Sequence, residues 1–140
     1  PIRRQRQMCI RDRPESVQTR LTVENDDKAS MYSVKELYEG IYKRIGVPVV
    51  FDYHHHRFCN GGLTEQEALE LAMSTWPKDI TPVVHYSESR SIEQENDKIK
   101  PQAHSDYVLD YIDTYGNDVD IMIEAKHKEL AVNKYRRLWT

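Results

Sequence analysis

No apolar run in this chain approaches the roughly 18 residues of a membrane-spanning helix, so no transmembrane segment is expected. Cysteine is scarce as well. Cys9 and Cys59 stand far apart with no CxxC pattern, which argues against a disulfide framework and a thiolate zinc site. Two isolated thiols suit a reducing compartment, cytoplasmic or, in a eukaryote, nuclear. No glycine-rich loop follows any strand-like run, which leaves dinucleotide and P-loop chemistry without support. An excess of positive charge is missing too, the formal net charge being −3. That alone disfavours a nucleic-acid binder, but acidic residues gathered around bound cations reverse the local sign.

The 140 residues amount to one domain. The most informative stretch is 47–56, VPVVFDYHHH, a short apolar run that passes without a break into Asp52, Tyr53, His54, His55 and His56. Such a run reads as a strand buried on both faces. Three further runs behave alike: 20–24 ends in Glu24 and continues NDD, 82–85 ends in His85, and 119–124 ends in Glu124. Four strands with a metal-type ligand at each C-terminal tip exceed what core packing requires.

The first thirteen residues differ from the rest. They hold five arginines and one aspartate, a local +4 within a total of −3, so the remainder carries −7. No helical or strand periodicity and no signal-peptide apolar region is visible there. Residues 1–13 are read as a non-native leader resembling translated sequencing adapter, with a basic nucleic-acid arm as the other reading. The domain proper is then 14–140, and the parent begins further upstream.

Helices alternate with the strands. Residues 33–46 carry Val34, Leu37, Ile41 and Ile45 at helical spacing, a Ser33–Glu36 capping box and a closing Gly46. A second capping box at 64–67 opens a helix through Leu69, Leu71, Ala72 and Trp76, ended by Pro77. Residues 105–115 are expected to be helical and closed by Gly116, and 128–138 form a final basic helix. The loop 87–100 reads as a solvated, mobile connection. Buried strands alternating with helices give a parallel sheet, either doubly wound or part of a (β/α)₈ barrel. Ligands on four successive tips favour the barrel, since neighbouring tips converge on one axis. Four units make half of one, a truncated TIM barrel.

Each ligand candidate has an ordinary reading beside it. Glu24 could cap a loop or pair with lysine, and Glu124 could pair with Lys126. Asp52 and His55, three apart, meet at one ion if the chain turns between them. In extended geometry His54 and His56 point elsewhere, to the surface or behind the ligands. His85 faces the barrel interior if Val83 does. His104 could be an ordinary residue before a helix. Singly, most ordinary readings win. Together, six carboxylates and imidazoles at one end of one sheet would repel or stay unsatisfied without cations, and a metal cluster is expected. Mixed carboxylate and imidazole ligation suits manganese, zinc or iron better than calcium.

The stretches RLTVENDD (20–27), VPVVFDYHHHRF (47–58), VHYSES (84–89), HSDY (104–107) and IMIEAKHK (121–128) resemble the C-terminal half of UV damage endonucleases. These are metal-dependent barrel enzymes, similar in fold to apurinic endonucleases and xylose isomerases, that nick DNA 5′ to ultraviolet photoproducts. The resemblance runs from about residue 14 onward, with the motifs in the family's order. It implies metal ligation by Glu24, Asp52, His55, His85, His104 and Glu124. The family's cluster has up to three divalent ions, commonly manganese, with zinc and magnesium as alternatives. The implied substrate is ultraviolet-damaged double-stranded DNA, with no membrane and no obligate protein partner. Glu24, Glu124 and Lys126 are the expected catalytic set. Lys126 and Arg57 are candidate phosphate contacts, with charge balance behind the ligands as the other role for both. The family's first-half histidines and lesion-probing residues are absent, and Val83 stands where the family often carries a modified lysine.

Two alternatives remain open. A sugar isomerase of the same barrel class would use similar ligands on a small polar substrate. A non-catalytic fragment would bind metal or DNA weakly. Half a barrel exposes unpaired strand edges, so the 140-residue chain is expected to be inactive even if its parent is a repair nuclease.

Overall fold

The computed structural model describes residues 4–140. Four parallel strands form one sheet: β1 (Val23–Glu24), β2 (Val49–Asp52), β3 (Val83–Tyr86) and β4 (Asp120–Ile123). Their spatial order is β1-β2-β3-β4, so each strand pairs with its successor in sequence. A doubly wound sheet reverses direction at a switch point, whereas a barrel adds each strand on the same side. The order is therefore that of a barrel, and four βα units are half of its eight.

Side chains alternate across the strands. Val49 and Phe51 of β2, Val84 and Tyr86 of β3, and Ile121 and Ile123 of β4 point outward into the hydrophobic core. There they meet Val34, Leu37, Ile41, Ala68, Leu69 and Ala72 of the covering helices. Each fully buried side chain of this size contributes about 1.5–3 kcal/mol. The opposite face is concave. Glu24, Val50, Val83 and His85 line a cavity of about 500 Å³ on it. His85 and Met122 are register partners on that face, where Met122 is 52% exposed. Val83 and His85 thus share the inner face.

The expected helix over 33–46 is present in three continuous pieces: α3 (Val34–Leu37), a π-helical turn (Tyr38–Tyr42) and α4 (Lys43–Ile45). Ser33 makes the full capping box with Glu36, and Gly46 ends the helix at φ +72°. The wide turn contains Gly40, whose carbonyl accepts from Gln7 Nε2 at 2.7 Å. Gln7 belongs to α1 (Arg4–Arg11), and Arg11 Nη2 also donates to Arg44 O at 2.9 Å. The leader, read as non-periodic, is thus helical over these residues and bonded to the first covering helix. A short α2 (Glu15–Gln18) follows it.

At the end of β2, α5 (Tyr53–His56) is a single turn, and α6 (Glu65–Met73) follows with Thr64 accepting from Glu67 N. α6 ends three residues short of Trp76, whose indole instead donates to Val49 O at 2.8 Å. The loop after β3 is not merely solvated. It holds α7 (Arg90–Glu93), and Arg90 pairs with Asp106 at 2.7 Å.

Residues 105–115 are not helical. Their amides answer to side chains from elsewhere: Glu93 accepts from Asp106 N and Tyr107 N, and Glu88 from Leu109 N and Asp110 N. Ile112 N donates to the Tyr135 hydroxyl. These acceptors replace the i→i−4 ladder, while Val108 and Ile112 still reach the core. The chain closes with α8 (Lys128–Trp139). Among the described residues, no helix is long and apolar enough to cross a membrane.

Candidate functional site

Asp52 does two things at once. It is the last residue of β2, and its side chain caps α5 by accepting from His55 N at 2.8 Å. The cap supplies the turn that brings His55 back beside Asp52, with Nδ1 3.7 Å from Asp52 Oδ2. Glu24, at the tip of β1, places Oε1 3.4 Å from His55 Nδ1 and 3.3 Å from His85 Nδ1. His85 Nδ1 is 3.6 Å from Glu124 Oε1, and Glu124 Oε2 is 3.9 Å from His104 Nε2. Asp52, His55, Glu24, His85, Glu124 and His104 therefore form one continuous chain of contacts along the strand tips.

Two subsets are compact enough to share an ion. Glu24, Asp52 and His55 form one, and Asp52, His85 and Glu124 the other, with ligand atoms in each within 4.8 Å of one another. Asp52 belongs to both. His104 lies outside these two groups and joins through Glu124. It is delivered by the loop after β3, where Ser89 and His104 form an antiparallel bridge.

The electrostatics follow from crowding. Burial, with Glu24 close by, pushes the Asp52 carboxyl up to about 7. Burial also acts to raise Glu24, but His85 and Asp52 outweigh it and hold Glu24 below the usual carboxylate range. His85 is raised by its contact with Glu24. For His55, burial opposes the charge, yet Asp52, the Asn25 carbonyl and Glu24 together push the imidazole up.

A divalent cation fits this donor set. Asp52 Oδ2 and His85 Nδ1 are buried without a hydrogen-bond partner, although His85 Nδ1 lies within ion-pair distance of two carboxylates. Carboxylate oxygens and imidazole nitrogens together are the ligands of manganese, zinc and iron, and the carboxylates also suit magnesium.

Other candidates lie differently. Lys126 is exposed, and among the described residues it makes no ion pair with Glu124; its amide donates to Ser105 O at 2.9 Å. Arg57 stands 6.0 Å over the Tyr86 ring, on the outward side of β3, in a groove shared with Glu88 and Asp110. His54 and His56 are buried rather than at the surface. Of the two expected placements, the surface and behind the ligands, the surface one is excluded, because the helical turn of α5 sends both inward. His54 Nε2 donates to Gln102 O at 3.2 Å, its ring edge meets Phe58, and burial pulls its pKa down to about 4. His56 packs against Phe51.

Asn25 was missed by sequence reasoning. It is fully buried, Nδ2 donates to Asp52 O at 3.0 Å, and Oδ1 accepts from Asp52 N at 2.8 Å. The available signal was an amide directly after a strand-tip glutamate, where a loop residue would ordinarily be exposed.

Residues 4–138 match the UV-endonuclease UvdE family. A UV DNA damage endonuclease of Bacillus mycoides is 37% identical over 134 residues, covering 88% of this chain and 39% of that protein. A UV-damage endonuclease of Schizosaccharomyces pombe is 38% identical over 124 residues, covering 84% of this chain and 20% of that protein. The crystal structure of SacUVDE superposes with a TM-score of 0.73 at 32% identity, covering 94% of this chain and 45% of that one. The chain thus spans less than half the length of each.

Proposed function

The chain belongs to the UV-endonuclease UvdE family, and from that premise we propose that it forms part of a metal-dependent repair endonuclease. The substrate is ultraviolet-damaged double-stranded DNA, nicked 5′ to the photoproduct. The observation that carries this reading is the unbroken line of contacts from Asp52 through His55, Glu24, His85 and Glu124 to His104 at one rim of the sheet.

In this reading those six residues hold divalent cations, manganese first and zinc or magnesium as alternatives. Bound there, the cations would supply an activated water and neutralise charge on the scissile phosphodiester. Glu24 and Glu124 provide formal negative charge from opposite edges, β1 and the end of β4. His85 stands between them and fixes their separation. Asp52, fully buried, is shielded from water and joins the two compact groups. Lys126, exposed two residues past Glu124, meets a phosphate of the DNA backbone. The lesion must leave the base stack to approach carboxylates set at the strand tips. A DNA substrate places the protein in the cytoplasm or nucleus.

The isolated chain itself is inactive in this reading. Its concave face is open, as the exposure of Met122 illustrates, and it carries half the strands a closed barrel needs. The test is nicking of ultraviolet-irradiated duplex by the full-length protein with and without Glu124→Gln. Loss of about 100-fold or more is expected, in the range for removing a preorganised charged group. Cleavage at the unaltered rate would remove Glu124 from the mechanism.

A further inference from the structure

We propose that Asn25 is the positioning residue of this site, holding the backbone at Asp52 and fixing the proton of His55 on Nδ1. The inference rests on reading Asp52 and His55 as cation ligands, and it concerns a residue that is not itself one. β1 ends at Glu24, so backbone pairing with β2 stops before Asp52. The Asn25 amide continues the ladder in its place, donating to Asp52 O at 3.0 Å and accepting from Asp52 N at 2.8 Å. Its backbone carbonyl lies 2.7 Å from His55 Nδ1. A carbonyl only accepts, and a neutral imidazole has one N–H. In the neutral ring, the form able to bind a cation, the proton is therefore on Nδ1, which leaves the lone pair on Nε2. A carbonyl that fixes a ligand histidine's tautomer and ring orientation in this way raises metal affinity. Among the described residues, no other side chain hydrogen-bonds to the backbone of Asp52.

The competing role is plain strand glue, and Thr75 provides the control. It is also buried and accepts from Val49 N at 2.8 Å at the opposite end of β2, away from the six candidate ligands. The experiment compares the full 140-residue chain with Asn25→Ala, Asn25→Ser and Thr75→Val. Two readouts are taken: nitrogen-15 NMR of the His55 ring without metal, and the Mn²⁺ dissociation constant by calorimetry. Asn25→Ala keeps the carbonyl but removes the two side-chain bonds that hold its backbone against Asp52. The carbonyl then drifts from Nδ1, and the substitution is expected to spread the His55 proton over both ring nitrogens and to weaken Mn²⁺ binding about 10- to 100-fold. Asn25→Ser, too short to span both bonds, carries the same expectation if Asn25→Ala does not fold. Thr75→Val lowers stability but leaves the tautomer and the affinity unchanged. A wild-type tautomer and affinity in the Asn25 variants would overturn the proposal, as would an equal loss in Thr75→Val. If the wild-type chain binds no Mn²⁺, the metal reading fails, yet the ring NMR still decides the role of Asn25.

Discussion

Asp52 and His85 face each other across β2 and β3 as register partners, and each presents a buried atom without a hydrogen-bond partner, Oδ2 and Nδ1. Unpaired buried polar groups cost about 1–3 kcal/mol apiece. Folding here leaves polar atoms unsatisfied at one spot and so prepares that spot for something that would satisfy them.

Mn²⁺ should therefore stabilise the chain. At a free concentration 100 times the dissociation constant, the gain is about 2.7 kcal/mol. Asp52→Asn should abolish that gain while leaving the metal-free chain at least as stable, because a neutral amide is cheaper to bury than a carboxylate. The amide oxygen can still accept from His55 N, which keeps the cap of α5. Thermal unfolding with and without MnCl₂ measures both effects. An equal Mn²⁺ gain in the variant would show that Asp52 is not a ligand.

The same carboxyl sets a pH dependence. Its folded pKa is raised from 3.8 to about 7. A raised pKa means stability that is fully present below the unfolded value and lost as pH climbs through the folded one. Metal-free wild type should thus fall behind Asp52→Asn progressively from about pH 3.8 to about 7, with a constant gap above. His54, depressed to about 4, acts in the other sense, losing its contribution as pH falls below 6.5. It is common to both proteins and cancels in the comparison. Urea unfolding across this range provides the numbers, and a gap independent of pH would contradict the raised value.

Phe51 separates the outer core from the inner site. It is fully buried, with ring centroids 4.7 Å from Tyr53 and 5.4 Å from His56, and the next residue is Asp52. Phe51→Ala should cost about 3–5 kcal/mol, a large part of the roughly 5–15 kcal/mol available to a domain. Ile92→Ala, at a side chain 76% exposed, should stay within about 0.5 kcal/mol of wild type. Denaturant midpoints test the contrast. Similar midpoints for the two variants would mean that β2 is not central to stability.

What could be read from sequence was whatever depended on near neighbours. The Ser33–Glu36 capping box and the Gly46 stop are complete within one helix. The tips bearing Glu24, Asp52, His85 and Glu124 follow from each strand's own polarity switch. Asn25 is different, since its partner lies far along the chain, Asp52 being 27 residues away. For His54 and His56 two placements were open, at the surface or behind the ligands, and the helical turn of α5 buries both. Residues 105–115 misled. Val108 and Ile112 have helical spacing and are buried, but the amides around them are claimed by Glu88 and Glu93 from outside any local window.

That last arrangement is directly testable by hydrogen exchange. Glu93 accepts from Asp106 N at 2.8 Å and Tyr107 N at 3.0 Å, while Glu88 Oε1 accepts from Leu109 N at 2.9 Å and Asp110 N at 2.8 Å. Hydrogen bonds to a charged acceptor contribute about 1.5–3 kcal/mol each. Glu93→Ala should therefore speed exchange at Asp106 and Tyr107 by about 10- to 100-fold, with Leu109 and Asp110 unaffected. Glu88→Ala should do the reverse. The two carboxylates hold separate halves of one irregular segment, and the half held by Glu93 adjoins His104. Loosening it should disturb the His104 end of the contact line before the Asp52 end. Identical protection patterns in the two variants would mean that the segment is held by its buried Val108 and Ile112 rather than by the carboxylates.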